Sequence, residues 1–230
     1  MRALVRAVPV RPRLEDAWDA GAWAGAETLE IAHFRAEGSE HRPRTRCRLA
    51  HDASGLAGIF HVEDRYVRAV HGRFGDPVYE DSCVEIFLQP VAGRGYLNFE
   101  MSCAGTLRVS HITDHRRVPG GFAAFTPLSE DEGRLVEIHG SLPRRVDPEI
   151  ATPLTWQLSF FIPQALFESR VGRLGPLAGQ TWRGNLYKCG DRTSHPHWAS
   201  WTPLPERNFH LPDCFGELAF EHPGQAAPSP

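Results

Sequence analysis

Short runs in which apolar and polar residues alternate recur along most of this chain, and a period of two marks a strand with one face buried. The run CVEIFLQP places Val84, Ile86 and Leu88 on one face and Cys83, Glu85 and Phe87 on the other. YLNFEMSC and TLRVSHIT flank Ala104-Gly105 as a predicted hairpin, with Leu97, Phe99 and Met101 facing inward and Tyr96, Asn98 and Glu100 outward. A strand, turn, strand unit is expected around Asp52-Ala53-Ser54-Gly55, between the alternating run from Thr45 to Leu49 and LAGIFHVED. RLVEIHGSL and LTWQLSFFIP supply Val136/Ile138 and Trp156/Leu158/Phe160 as further core rows, while QTWRGNLYKCGD and FGELAFEH read as late strands. One short helix is expected in PQALFESR, with Pro163 in its favoured first-turn position. These elements predict an all-β fold, an antiparallel two-sheet β-sandwich of jelly-roll or immunoglobulin-like topology, with one short helix and a long aromatic loop.

The 230 residues, 41% of them apolar, suit a single domain with a well-buried core. Residues 1–16 read as an extended, proline-spaced lead that Trp18 and Trp23 pin to the body, residues 17–221 as the sandwich, and residues 222–230 as a disordered tail. A net charge of -3 without a Lys/Arg block gives no footprint for nucleic acid or membrane surfaces. The N-terminal residues lack the apolar core of a signal peptide, and no run of about eighteen apolar residues occurs, so a cytoplasmic protein is expected, and a monomer. Five cysteines, odd in number and without C-x-x-C spacing, read as reduced thiols.

Chemistry concentrates in the segment from Asn185 to Leu218, where aromatics, imidazoles, charges and prolines crowd together with little periodicity. Flat aromatic faces beside charged or amide side chains are what a sugar site requires: rings to stack on C–H groups and polar groups to grip hydroxyls. Phe74, Tyr79, Glu80, Asp81 and Glu85 stand around the loop before the Glu85 strand. Asn185, Lys188, Asp191, Arg192, His195, His197, Trp198 and Trp201 stand in the late segment. Within that segment the functional set narrows to Lys188, Arg192, His197, Trp198 and Trp201. His195-Pro196-His197 has no third zinc ligand fixed by spacing, and Asp76, Glu80 and Asp81 are calcium candidates without the periodicity of an EF-hand loop. No cofactor other than calcium is expected. The motifs of serine hydrolases, zinc proteases, P-loop enzymes and dinucleotide-binding folds are all missing. Glycoside hydrolysis needs only two placed carboxylates and stays open.

Three blocks, VYEDSCVEIFLQP, GYLNFEMSCAGTL and GNLYKCGDRTSHPHWASWTPLPERNFHLPDCFGEL, resemble those of the family 9 carbohydrate-binding-module-like proteins over about residues 17–221. The first two are shared more loosely with DOMON-related haem- and sugar-binding sandwiches, and the third is similar to a stand-alone bacterial branch. The resemblance implies a β-sandwich that holds a mono-, di- or polysaccharide, xylan among them, between two aromatic side chains without catalysis. On this sequence the implied positions are Tyr79 for the first ring, where xylanase-borne modules carry tryptophan, Glu85 for the carboxylate, and Trp198 or Trp201 for the second ring. Asn185, Lys188 and Arg192 are hydroxyl contacts by position rather than by motif. A related haem-binding, electron-transfer sandwich would call on Met101 and Lys188 as axial candidates.

Overall fold

The computed structural model describes residues 1–224, so the expected tail lies largely outside the described residues. Within them run sixteen strands: β1 (Arg2–Ala7), β2 (Leu29–Ile31), β3 (His33–Phe34), β4 (Arg44–His51), β5 (Gly55–Asp64), β6 (Val67–Ala69), β7 (Cys83–Gln89), β8 (Tyr96–Ser102), β9 (Leu107–Val118), β10 (Gly121–Pro127), β11 (Glu137–Gly140), β12 (Val146–Ile150), β13 (Leu154–Pro163), β14 (Thr181–Cys189), β15 (Trp198–Ser200) and β16 (Gly216–Phe220). One sheet runs β10-β9-β8-β7-β14-β16-β1, with β15 and β3 added beside β14. The other runs β1-β4-β5-β13-β11, with β2 added beside β4. β6 and β12 pair separately.

The predicted core rows meet between the sheets. Val84, Ile86 and Leu88 from β7, Leu97, Phe99 and Met101 from β8, and Trp156, Leu158 and Phe160 from β13 belong to one fully buried cluster. Val136 is buried at its edge and Ile138 packs on it half-buried.

The antiparallel expectation needs correction at β1. Arg2 to Val5 pair in parallel with Glu217 to Phe220, and Arg6 and Ala7 pair in parallel with Ala50 and His51. One short strand therefore passes from one sheet to the other and makes both mixed. Ala3 and Val5 alternate into the core, and their burial holds the strand within the sandwich. The first residues are accordingly a structural strand of the sandwich rather than a lead laid on it. Trp18 and Trp23 are buried, packing with Leu14, Ala50, Ala57, Ile59 and Phe161 in a separate cluster.

The expected helix is α2 (Gln164–Val171), with Pro163 at its N-cap. A second, α1 (Glu130–Gly133), was not anticipated. Ser129 accepts a bond from the Glu132 amide and the Glu132 carboxylate bonds back to Ser129, the reciprocal cap that the spacing Ser-x-x-Glu favours. No helix among the described residues is long and apolar enough to cross a membrane.

β8 depends on the turn before it. Gly95 has φ +75°, and a Cβ there would lie 2.3 Å from the Ile112 carbonyl oxygen. Gly95→Ala combines a left-handed backbone with a backbone clash, and we expect it to lower the unfolding free energy by more than about 1 kcal/mol. Urea denaturation measures the loss.

Candidate functional site

The alternation that fills the core also equips the outer face of the first sheet. Glu85, on β7, lies opposite Tyr187 of β14 on one side and Glu100 of β8 on the other, and Glu100 lies opposite Arg108 of β9. One step along, Phe87 lies opposite Asn185 and Asn98, and Asn98 opposite Ser110. Glu85, Glu100, Asn98, Arg108 and Ser110 form the floor of a cleft of about 420 Å³, within the size range of small-molecule sites. Tyr79, from the turn Val78–Glu80, and Trp198, at the start of β15, contribute aromatic walls. Phe122 and Phe125 of β10 add a third apolar wall, and the loop around Arg207 and His210 adds a fourth.

Asp191 connects the first two walls. Its backbone N–H donates to the Tyr79 carbonyl at 3.0 Å, and its carboxylate accepts from Trp198 Nε1 at 2.7 Å. The Arg207 guanidinium lies 4.5 Å from the centre of the Trp198 ring, and that of Arg108 lies 5.8 Å from the Tyr79 ring. Both rings are thus held by polar partners at their edges or on one face.

The acidic groups of the floor are buried. Glu85 is 3% exposed and Glu100 5%. Asn98 Nδ2 donates to Glu100 Oε1 at 2.6 Å, whereas Glu100 Oε2 has no hydrogen-bond partner and its cation, Arg108 Nε, stands 3.7 Å away. Burial pushes the Glu100 carboxyl up to about 7, against the pull of Arg108. Burial, then the charge of Glu100, raises Glu85 as well. Burial also raises Asp191, and it holds His210, bonded through Nδ1 to the Tyr96 hydroxyl, down to about 3.

The raised Glu100 carboxyl has a stability consequence. Between the unfolded value of 4.5 and about 7 the native state holds a proton that the unfolded chain has released. The stabilisation from that proton is complete below 4.5 and is lost as pH rises through about 7. Glu100→Gln, which stays neutral, is therefore expected to match the wild type near pH 4 and to become more stable than it by up to about 3 kcal/mol at pH 8. Thermal unfolding of both proteins across that range checks the sign. A constant difference between them would contradict it.

Of the residues singled out in the sequence, Tyr79, Glu85, Asp191 and Trp198 line one cleft. The others stand elsewhere. Asn185 is fully buried, and its Oδ1 accepts the backbone N–H groups of Leu186 and Thr202 at 2.9 Å, fastening the late loop to β14. Trp201 is 2% exposed in the main core, against Gly216. Arg192 points to solvent beside Glu80, with Nε 3.1 Å from its carboxylate.

Lys188 shares the inward face of β14 with Leu186 and is completely buried. Its ammonium donates to the Cys189 carbonyl at 3.0 Å and to His197 Nε2 at 2.8 Å, and stands 3.5 Å from Asp64. His197 in turn bonds the His195 carbonyl through Nδ1, at 2.9 Å. Burial, then the neighbouring ammonium, lowers His197 to about 3, so the imidazole is neutral and accepts from Lys188. Asp64 receives bonds from His41 Nε2 at 2.8 Å and Trp156 Nε1 at 3.0 Å. Burial would raise its pKa, but the Lys188 charge and these bonds outweigh it and hold the carboxylate below its usual range. Met101, the other haem candidate, is enclosed in the core, and neither it nor Lys188 lines the cleft.

The calcium candidates are each engaged by nitrogen. Asp76 accepts the Arg73 amide, Glu80 pairs with His71 and Arg192, and Asp81 accepts the Val70 and His71 amides beside Arg68.

Glu100, Asn98 and Arg108 were absent from the sequence-based set. The alternation of β8 already pointed Asn98 and Glu100 outward, but only the strand register brings them and Arg108 beside Glu85.

The architecture is a mostly-β sandwich with a cleft on the outer face of one sheet. A family model described as carbohydrate-binding family 9 matches residues 23–220, and the chain belongs to that family. Among solved structures, a candidate carbohydrate-binding protein from Bacteroides uniformis is similar, with 29% identity and a TM-score of 0.82, over 96% of this chain and 99% of that one. A family 9 carbohydrate-binding module from Caldicellulosiruptor kristjanssonii is similar at 13% identity and a TM-score of 0.65. Its glucose complex matches over 99% of this chain and 100% of that one, and its cellotriose complex over 100% and 98%. At that identity the shared property is the fold. No curated protein gives a significant match.

Proposed function

We propose that the protein binds a sugar without transforming it, with the ring held against Tyr79 and Trp198 and its hydroxyls bonded by Glu85, Glu100, Asn98 and Arg108. The observation that carries this reading is the joining of both aromatic walls through Asp191 directly above a floor of buried carboxylates, amide and guanidinium. An apolar face for C–H groups sits beside carboxyl, amide and guanidinium groups for hydroxyls, and bonds from the Arg108 guanidinium are charge-assisted. The Caldicellulosiruptor module, which shares the fold, binds glucose and cellotriose, so gluco-configured sugars are the first ligands to test. Lys188, His197 and Trp201 serve this reading as supports behind the sheet face, and Asn185 as the anchor of the late loop, rather than as ligand contacts.

Titration of glucose, cellobiose, cellotriose and xylobiose, followed by tryptophan fluorescence and calorimetry, tests it. Saturable binding to at least one sugar, weakened by Glu85→Gln, is expected. Silence across a broad panel of sugars would end the proposal.

The Glu85 and Glu100 pair favours one second reading, glycoside hydrolysis by two carboxylates. Reducing-sugar release from the same oligosaccharides, abolished in Glu100→Gln, would carry it.

A further inference from the structure

Glu85 has an unusual set of partners. Its carboxylate is almost completely buried, yet among the described residues its side-chain hydrogen bonds come only from two thiols, Cys189 Sγ at 3.2 Å and Cys83 Sγ at 4.0 Å from the same oxygen. Thiols are weak donors, too weak to balance a buried charge on this carboxyl, whereas a cation held beside it would do so. The strand register explains why the thiols are there. Cys83 and Glu85 lie two residues apart on one face of β7, and Cys189 lies directly opposite Cys83 on β14. The ligand atoms of all three residues lie within 4.8 Å of one another.

That spacing is close to what a tetrahedral ion needs. Metal–sulfur and metal–oxygen bonds of about 2.3 and 2.0–2.2 Å place neighbouring ligand atoms about 3.5–3.8 Å apart. Side-chain shifts of up to about 1 Å would bring the three atoms into range. Two sulfur ligands select zinc-like ions over calcium and magnesium. Glu85 and Cys189 also line the cleft, so two of the three ligands border its open space, while Cys83 is packed with Val78 behind them.

We propose that Cys83, Glu85 and Cys189 form a three-ligand site for a thiophilic divalent cation such as zinc, with a fourth coordination position open to the cleft. Three protein ligands and one exchangeable position describe an open site rather than a closed structural one. On binding, the two thiol protons, and that of Glu85 where its carboxyl is protonated, leave to solvent, and two thiolates and a carboxylate surround the ion. The site is distinct from Asp76, Glu80 and Asp81, whose oxygens are held by amides, imidazole and guanidinium.

The test uses the full chain, kept reduced with a phosphine and titrated in the absence of sugar, so its outcome does not depend on the carbohydrate reading. Zinc alone is the calorimetric probe and cobalt(II) the optical one. The expected result is one equivalent of zinc bound and, with cobalt, a sulfur-to-metal charge-transfer band in the near ultraviolet. Cys189→Ser and Cys83→Ser should lose the band and bind zinc at least tenfold more weakly while keeping the wild-type circular dichroism. Because buried Cys→Ser changes can impair folding, the wild-type spectrum serves as an independent criterion. Absence of the band in folded wild-type protein overturns the proposal. So does zinc affinity unchanged in both folded variants, which would assign the binding to surface histidines.

Discussion

Lys188→Met is expected to lower the unfolding free energy by about 3–5 kcal/mol, an amount typical of removing one partner from a buried ion pair. The substitution takes the ammonium away from Asp64, which stands 3.5 Å from it with its side chain fully enclosed, and leaves His197 Nε2 without its donor. Most of the loss comes from the carboxylate left behind. Among the described residues Asp64 retains only His41, Trp156 and the Arg65 amide as donors. The double variant Lys188→Met/Asp64→Leu should therefore be less damaged than the single one, since it removes both charges together. Denaturant unfolding of the two single variants and the double gives the coupling directly. A Lys188→Met loss below about 0.5 kcal/mol, the scale of surface substitutions, would mean that the ammonium is not buried and paired as described. The same variant carries a second readout. Under conditions where it remains folded, its sugar affinity should equal that of the wild type, because Lys188 faces the core.

Trp198→Ala is expected to raise the dissociation constant for a bound sugar by about 30-fold or more, the size of effect seen when an aromatic anchor worth about 2 kcal/mol is truncated. Trp198 is half-buried on the cleft wall, where a ring face is available to ligand while its Nε1 is held by Asp191 and Arg207 lies over the ring. Trp198→Phe separates the contributions. It keeps an apolar ring but drops the bond to Asp191, so an intermediate loss is expected. Trp201→Phe supplies the contrast: its ring is enclosed in the core against Gly216, so stability should fall while affinity holds. Trp198→Ala with wild-type affinity, in a folded protein that binds sugar, would remove Trp198 from the site. Calorimetry of the three variants with the best sugar of the panel makes the comparison.

How much of the site could be read from the sequence depends on which face each residue occupies. Glu85 was legible because CVEIFLQP alternates without interruption, and Tyr79 and Trp198 because large aromatics flank charged positions in irregular segments. Lys188 was misplaced for a reason that the same pattern contains. In NLYKC the residues Asn185, Tyr187 and Cys189 share one face, and Leu186 and Lys188 share the other. A period-two reading sends Lys188 inward with Leu186, but a lysine is so seldom buried without a partner that charge outweighed position. The partner, Asp64, is more than a hundred residues away, and nothing local announces it. His197 follows Lys188 into the interior, whereas Asn185 keeps to the outer face but spends its carbonyl oxygen on the Thr202 and Leu186 amides beneath the late loop.

The sequence by itself determined the sandwich and its core rows, because side chains on a strand alternate strictly and one buried face is enough to reveal the pattern. It also determined the short helix after Pro163 and, through Ser129 and Glu132, carried the cap of the second one. Tertiary structure alone decided which strands lie side by side. That choice made the sheets mixed, by laying β1 parallel to both β16 and β4. It set Glu100 and Arg108 beside Glu85, and it brought Cys83 and Cys189 together across β7 and β14. Pairing between strands far apart in the chain follows from the summed burial of whole sheet faces, a quantity that no single stretch of residues contains.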